Sequence, residues 1–239
     1  MRRALVTGGS GSIGAAICRK LATDGIHVYV HANHGIDRSE AIAASIREAG
    51  GSASSVSFDV TDADATAAAL EALTAEGVIQ ILVNNAGLHD DGVMPGMRRD
   101  QWSSVIDVTL NGFFNVTQPL LMPMIGTRWG RILSLSSVSA LVGNRGQVNY
   151  AAAKSGLHGA TKSLSLELAS RGITVNAIAP GIIASPMADA AFDKERIERL
   201  VPMKRAGTAE EVADLASFLA SDRAGYISGQ IISINGGMI

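Results

Sequence analysis

The chain has 239 residues, with 20 Lys and Arg against 22 Asp and Glu and 47% hydrophobic side chains. At ~150 residues per domain this is one large domain or two small ones. The apolar content excludes global disorder, and a net charge of -2 without a basic stripe argues against nucleic acid as a partner. Twenty-six glycines, only 4% aromatics and the single cysteine, Cys18, argue against a β sandwich, a disulfide framework and a cysteine-rich zinc site. They suit a reducing, cytoplasmic setting and a fold with many tight strand-to-helix turns.

In chain order, short apolar runs alternate with helix-length segments. Residues 3–7 read as a buried strand that meets a glycine-rich turn and then a helix over 13–24. Residues 27–32 predict a second strand, and 38–49 a helix ended by Gly50 and Gly51. A third strand lies within 53–60, and Thr61 or Asp62 caps an alanine-rich helix over 63–75. The fourth strand falls in 80–87. Residues 99–125 read as helical, with Pro119 expected to kink or interrupt them. A fifth strand over 130–137, a long helix over 149–169 and a sixth strand over 172–180 follow. Then come a polar helical lobe (187–201), a helix over 209–220 opened by the capping box Thr208 and Glu211, and a seventh strand over 229–236. Strands separated by helices mean βαβ crossovers and a mostly parallel sheet. No linker, composition break or fixed-period repeat divides the chain. One doubly wound α/β domain over 1–239 is expected, with a small substrate-side lobe at about 182–205. The N-terminal apolar run is too short for a signal peptide core, and no run reaches the ~18 residues of a membrane span, so no membrane contact is expected.

The segment Thr7-Gly8-Gly9-Ser10-Gly11-Ser12-Ile13-Gly14 joins the first strand to the first helix. Gly8 permits a tight turn, Gly14 lets helix and strand approach, and the exposed amides of Ser10, Gly11, Ser12 and Ile13 suit a pyrophosphate. Such turns also occur without a nucleotide, and the strand–turn–helix context is what carries the reading. No Gly-Lys-Ser/Thr follows, which argues against a P-loop. The second strand ends in His31-Ala32-Asn33-His34, with no acid to bond a ribose 2′-hydroxyl. That points to the 2′-phosphorylated cofactor, with Asn33, His34 and Arg38 as candidates for the phosphate pocket. Arg38 reads equally as a solvated charge. Asp59, followed by Val60, suits either the adenine amino group or an ordinary helix cap.

Ser137 ends the fifth strand, Tyr150 starts the long helix, and Lys154 lies one turn along the same face. A cation beside a phenol lowers its pKa from ~10, and Ser137 reaches the same substrate oxygen. This is equipment for carbonyl reduction, although a Tyr…Lys pair at this spacing is also an ordinary surface pair.

Together these segments resemble the short-chain dehydrogenase/reductases over essentially the whole chain, and within them the bacterial 3-oxoacyl-[acyl-carrier-protein] reductases. The motifs that carry the likeness are Thr7-Gly8-x-x-x-Ser12-x-Gly14, Asp59, Asn84-Asn85-Ala86-Gly87, Pro180-Gly181, and the stretches 205–212 and 225–230. The resemblance implies a catalytic tetrad of Asn111, Ser137, Tyr150 and Lys154, with Asn111 holding a water of the proton relay. It implies NADP, with NADPH as hydride donor. The cofactor is expected to lie against the glycine turn, Asn33, His34, Asp59, Val60, Asn85, Ala86, Gly87, Tyr150, Lys154, Pro180, Gly181, Ile183 and Ser185. It further implies reduction of a 3-oxoacyl thioester, preferably bound to acyl carrier protein, by a homotetramer that needs no metal. The five histidines (27, 31, 34, 89 and 158) read as surface or strand-end residues.

The chain departs from that pattern in several places. Ser12 stands where the family has glycine, and either crowds the turn or donates to phosphate. Gly11 stands where phosphate-preferring reductases often carry arginine. Ser185 replaces a threonine, and Asn235 an aspartate. Asp90 and Asp91 occupy a stretch where carrier-protein relatives commonly have a basic residue, and acids there do not help to dock an acidic carrier. Arg98, Arg99, Arg128, Arg131, Lys204 and Arg205 are either a compensating patch or scattered solvated charges. Substrate contacts are expected from 88–98, 139–149 and 182–205, and Met94, Met97, Met122, Met124, Met187 and Met203 serve as pocket wall or core filler. The rival readings are an acetoacetyl-CoA reductase, a reductase of a polyketide or sugar-derived ketone, and a non-catalytic NADPH-binding regulatory or structural subunit.

Overall fold

A computed structural model of the chain describes residues 1–185 and 193–239. Strand β1 (Arg3–Val6) leads to helix α1 (Ser12–Thr23), β2 (His27–Ala32) to α2 (Ile36–Glu48), and β3 (Ser52–Ser57) to α3 (Ala63–Ala75). Then follow β4 (Ile81–Asn84), α4 (Arg99–Ile106), α5 (Gly112–Thr127), β5 (Gly130–Leu135), the short α6 (Ser139–Val142), α7 (Val148–Leu168), β6 (Ile173–Pro180), α8 (Lys194–Leu200), α9 (Ala209–Ala220) and β7 (Ile231–Ile234). Among the described residues the seven strands form one sheet in the order β3-β2-β1-β4-β5-β6-β7, parallel throughout. This is the expected single doubly wound α/β domain. Part of the expected lobe, with Met187, lies outside the described residues.

The strands read as continuous apolar runs because both faces of the sheet are covered. Side chains alternate between the faces. Ala4 and Val6, Val28 and Val30, and Ile81 and Val83 point to the core shared with Ile17 and Leu21 of α1 and Val212 and Leu219 of α9. Leu5, Tyr29 and Leu82 point the other way, to Leu70 of α3 and Val116, Leu120 and Met124 of α5. Helices on both faces leave the C-terminal ends of the strands as the open edge, where the order reverses between β1 and β4.

Local chemistry sets several boundaries. Asp62, not Thr61, caps α3 by accepting from the Ala65 amide at 3.0 Å. The capping box at α9 forms as expected, with Glu211 N–H donating to Thr208 Oγ1 (3.2 Å) and Thr208 N–H to Glu211 Oε2 (2.8 Å). The interruption of the 99–125 segment is not at Pro119. Helix α5 runs through Pro119 and Pro123, and the irregularity is a π turn over Asp107–Asn111 that joins α4 to α5. Replacing Thr208 with Ala removes one half of the capping box. It should lower stability by about 1 kcal/mol, read as a lower midpoint in urea unfolding, with the fold unchanged by circular dichroism.

Candidate active site

At the reversal of strand order, β1 and β4 end side by side. The Thr7 amide still pairs with Val83 O (3.0 Å), but beyond it the two chains part and their amides lose sheet partners. Thr7 Oγ1 accepts from the amides of both Asn85 and Ala86, each at 3.0 Å. The Asn85 carboxamide returns the contact by donating to Thr7 O (2.9 Å) and Gly8 O (3.0 Å). Gly8 turns with φ 62°. A Cβ on Gly14 would strike Gly8 O and come within 2.8 Å of Asn85 Nδ2, so only glycine lets α1 start this close to β1.

The other wall of the turn is His31. It is buried at the end of β2, its Nδ1 accepts the Gly8 amide (3.1 Å) and its Nε2 meets Phe58 O (2.8 Å). That pattern fits the neutral Nε2–H tautomer. Burial pushes the imidazole down to about 4, against smaller upward pulls from the Phe58 carbonyl and Asp59.

Helix α1 opens at Gly11 with no side-chain cap. Gly11 and Ser12 are exposed, Ser10 and Ile13 half-buried, and Ser12 does not crowd the turn. A helix start of this kind, with glycines where a side chain would fill the cradle, fits a pyrophosphate. Beside it Asp59 accepts from the amide and hydroxyl of Thr61 (both 2.8 Å). These bonds, with the Asn33 side chain close by, hold its carboxyl below the usual range. Asn33 is therefore drawn toward Asp59, while His34 and Arg38 stay exposed at the start of α2. Val60 is buried, its carbonyl bonded to the Asn115 side chain (2.9 Å).

On the other side of the crevice, Lys154 is buried and its Nζ donates to Leu135 O (2.6 Å). A Cβ on Gly87 would lie 3.1 Å from that Nζ, so glycine there gives the amine its room. Desolvation lowers the Lys154 pKa to about 8, which leaves it largely protonated at neutral pH. Ser137, whose Oγ accepts the Ser139 amide (3.1 Å), stands beside Tyr150. Burial raises the phenol above its ordinary value, the Ser137 hydroxyl pulls it back, and the Asp91 carboxylate adds to the rise. The expected lowering by Lys154 is not present, because the ammonium points to Leu135 O and lies 5.8 Å from the ring centroid. Pro180 closes the far end through Val138 N–H to Pro180 O (2.8 Å), and Gly181 N–H bonds Ile234 O (2.9 Å). Ile183 bridges to Gly207, and Ser185 is half-buried next to the residues left undescribed.

Asn111 ends the π turn and is exposed, its Nδ2 donating to Asp107 Oδ1 at 2.7 Å. The same turn directs Thr109 inward. Its hydroxyl is buried, has no protein partner, and lines with Thr7 and Asn84 a cavity of ≈ 10 Å³, about the space one water needs. Of the two readings of the basic residues, the partners favour scattered charges: Arg131 is buried under Trp129 at the opposite end of β5, Arg98 pairs with Asp100, and Arg205 with Glu211. Of the methionines, Met124 is core, Met122 and Met203 are exposed, and Met94 and Met97 line an open pocket of ≈ 430 Å³ with Arg98, Arg99 and Trp102. Among the described residues, no group of three His, Cys, Asp or Glu is placed to hold a metal ion, and no helix is long and apolar enough to cross a membrane.

The roles of His31 and Thr109 were not singled out from sequence, since each depends on what another segment brings against it. A strand ending in histidine where an apolar residue would pack was the one available signal.

This crevice, with its uncapped helix start at the strand reversal and a Ser–Tyr–Lys group facing it, has the form of a dinucleotide-dependent oxidoreductase. Residues 8–239 match the family described as enoyl-(acyl carrier protein) reductase. The chain is 43% identical over 236 residues to a 3-oxoacyl-[acyl-carrier-protein] reductase of Aggregatibacter actinomycetemcomitans, covering 98% of each chain. It is 43% identical over 240 residues to that of Staphylococcus aureus (strain N315), covering 99% of this chain and 98% of the relative. It is 39% identical, with the same coverage, to an acetoacetyl-CoA reductase of Cupriavidus necator. The chain belongs to the short-chain dehydrogenase/reductase family.

The neutral His31 predicts a pH dependence. Its folded pKa is depressed, so the unfolded chain takes up a proton first as pH falls below about 6.5, and stability is lost from there down toward the folded value of about 4. Between about pH 7 and about pH 4.5 the wild type should lose on the order of 2 kcal/mol more than His31→Gln, measured by urea unfolding at both pH values. Equal losses in the two proteins would contradict the assignment.

Proposed function

We propose that this chain is an NADPH-dependent reductase that converts a 3-oxoacyl thioester to the 3-hydroxyacyl thioester. The observation that supports it best is Ser137 and Tyr150 facing one crevice with the buried Lys154 amine, in a chain 43% identical to 3-oxoacyl-[acyl-carrier-protein] reductases. When bound, NADPH supplies the hydride, which the C3 ketone accepts. Gly8, Gly14 and the first amides of α1 hold the cofactor's pyrophosphate, and Asp59 lies at its adenine end. The absence of an acid after β2 suits a 2′-phosphate, with His34 and Arg38 as the exposed groups nearest that place.

Tyr150 donates a proton to the developing alkoxide. Burial keeps its phenol protonated at neutral pH, which is the form a reductase needs. Ser137 donates a hydrogen bond to the same oxygen and fixes the ketone's orientation. Lys154 holds the nicotinamide ribose beside Gly87. Asn111, at the end of the π turn, holds a water of the proton relay, as the family resemblance implies. Pro180, Gly181, Ile183 and Ser185 form the nicotinamide-side wall.

The thioester is carried by acyl carrier protein in the first reading. Coenzyme A is the second, favoured by the likeness to an acetoacetyl-CoA reductase. A homotetramer is proposed from the family resemblance. The exposed Phe114 and Met122 of α5 and Leu166 of α7 are apolar enough for a subunit contact.

Purified protein given NADPH and acetoacetyl-CoA, or the matching carrier-protein thioester, should oxidise the nicotinamide. No turnover with any 3-oxo thioester, despite NADPH binding, would rule the reading out. Tyr150→Phe should lower kcat by roughly 10²–10⁴-fold with NADPH affinity retained, and Ser137→Ala by roughly 10²–10³-fold. Full activity of Tyr150→Phe would remove the phenol from the proton path.

A further inference from the structure

Asn149 immediately precedes Tyr150, and its side chain is completely buried. Its carboxamide is nearly saturated. Nδ2 donates to Asp90 O and to Gln101 O, both at 2.9 Å, and Oδ1 accepts the Tyr150 amide at 2.8 Å. The first carbonyl belongs to the loop after β4, the second to α4, and the amide to the first turn of α7. One planar group thus joins three segments at the residue that carries the reactive phenol.

Helix α7 has no side-chain cap at Gln147, so the Tyr150 amide is one of the first-turn donors left without a helical partner. A cap could have come from any Ser, Thr or Asp at the N-cap position. The carboxamide does more, because only an Asn-type side chain supplies two donors and an acceptor in one plane at this reach. The surrounding bonds run along the same seam. Gly92 N–H donates to Gly146 O (2.8 Å), Gln147 Nε2 to Asp91 Oδ2 (2.9 Å) and Gln101 Nε2 to Asp90 Oδ1 (2.7 Å). Of these the Gln147–Asp91 bond is exposed, where water competes for it, whereas the Asn149 side chain is completely buried and its bond to Gln101 O is shielded. A shift of the 90–101 segment is therefore passed to the start of α7 rather than absorbed by the loop.

We propose that Asn149 is a positioning residue, which locks the substrate-side loop and α4 to the first turn of α7 and so sets where the Tyr150 hydroxyl stands relative to Ser137 and the substrate ketone. This rests on the reading of Tyr150 as proton donor. The cofactor turn is held by a separate set of bonds from Thr7, His31 and Asn85. Loss of the Asn149 clamp leaves that set intact.

The test uses Asn149→Ala and Asn149→Asp in the full-length protein. The Asp variant keeps an acceptor for the Tyr150 amide and loses both donors, so it separates capping of α7 from the clamp. Rates are expressed per NADPH-binding site, counted by fluorescence titration, which removes any unfolded fraction from the comparison. Where Asn149→Ala does not fold, the Asp variant alone decides. The expected result is a fall in kcat of about 10²-fold, the scale of an ångström-sized misplacement, with KM for the thioester raised and the NADPH Kd within twofold of wild type. A kcat per site unchanged within twofold overturns the proposal, as does a kcat that falls only in proportion to lost NADPH affinity. Tyr150→Phe is run in parallel. If it retains full activity, the proton-donor reading fails and this inference with it. If it is inactive while Asn149→Asp is fully active, this inference alone fails.

Discussion

Strands β1 and β4 are neighbours whose chains leave the sheet in opposite directions, and the site depends on how their ends are held once sheet pairing stops. Backbone amides at that point must find partners or bear the cost of burial without them. Thr7 Oγ1 takes two of them, Asn85 and Ala86, and the Asn85 side chain answers two carbonyls on the opposite strand end. The knot of bonds places the glycine turn and the loop that follows β4 in one fixed relation. The close approach at Gly14 and the His31 bond to the Gly8 amide fix the same turn from its other sides. The crevice is preorganised by bonds within the protein, before any ligand contributes.

The opposite wall is built on a different principle. Lys154 and Tyr150 are placed by α7, and burial sets their protonation. The sheet and helices exclude water from the Lys154 amine until its pKa falls to about 8, and the same exclusion raises the Tyr150 phenol. Desolvation outweighs any direct cation-to-phenol contact here, since the lysine spends its hydrogen bond on Leu135 O. A protonated phenol beside a serine hydroxyl is suited to giving a proton. Bonds from Asp90, Gln101 and Asn149 tie this wall to the substrate-side loop, so the two halves of the site are anchored separately.

The strand and helix positions were legible because their apolar periodicity is strong and their turns carry Gly, Asp and Thr in cap positions. The ends of the strands were less so. β4 stops at Asn84 and β5 at Leu135, short of the expected ends at 87 and 137, since the following residues leave the sheet to line the crevice. Pro119 misled because a proline's missing donor does not break a helix already packed against the sheet on its buried side. The true irregularity, at Asp107–Asn111, has no breaker residue to announce it. For the same reason the buried Thr109 was not legible: a π turn alters which residue of a helical run faces inward.

By itself, the sequence determined the parallel α/β architecture, the glycine turn and the Ser137, Tyr150 and Lys154 group. Each of these is written in local spacing and residue type, which the chain carries wherever it folds. Only the tertiary structure decided which neighbours those residues meet. It turned Thr109 in, brought Asn33 close to Asp59, and aimed Lys154 at a carbonyl. It buried Arg131 far from the crevice, and set Asn149 between a loop and a helix that lie about 50 residues earlier. Burial and long-range hydrogen bonding are properties of assembled segments, and no local pattern in the sequence specifies them.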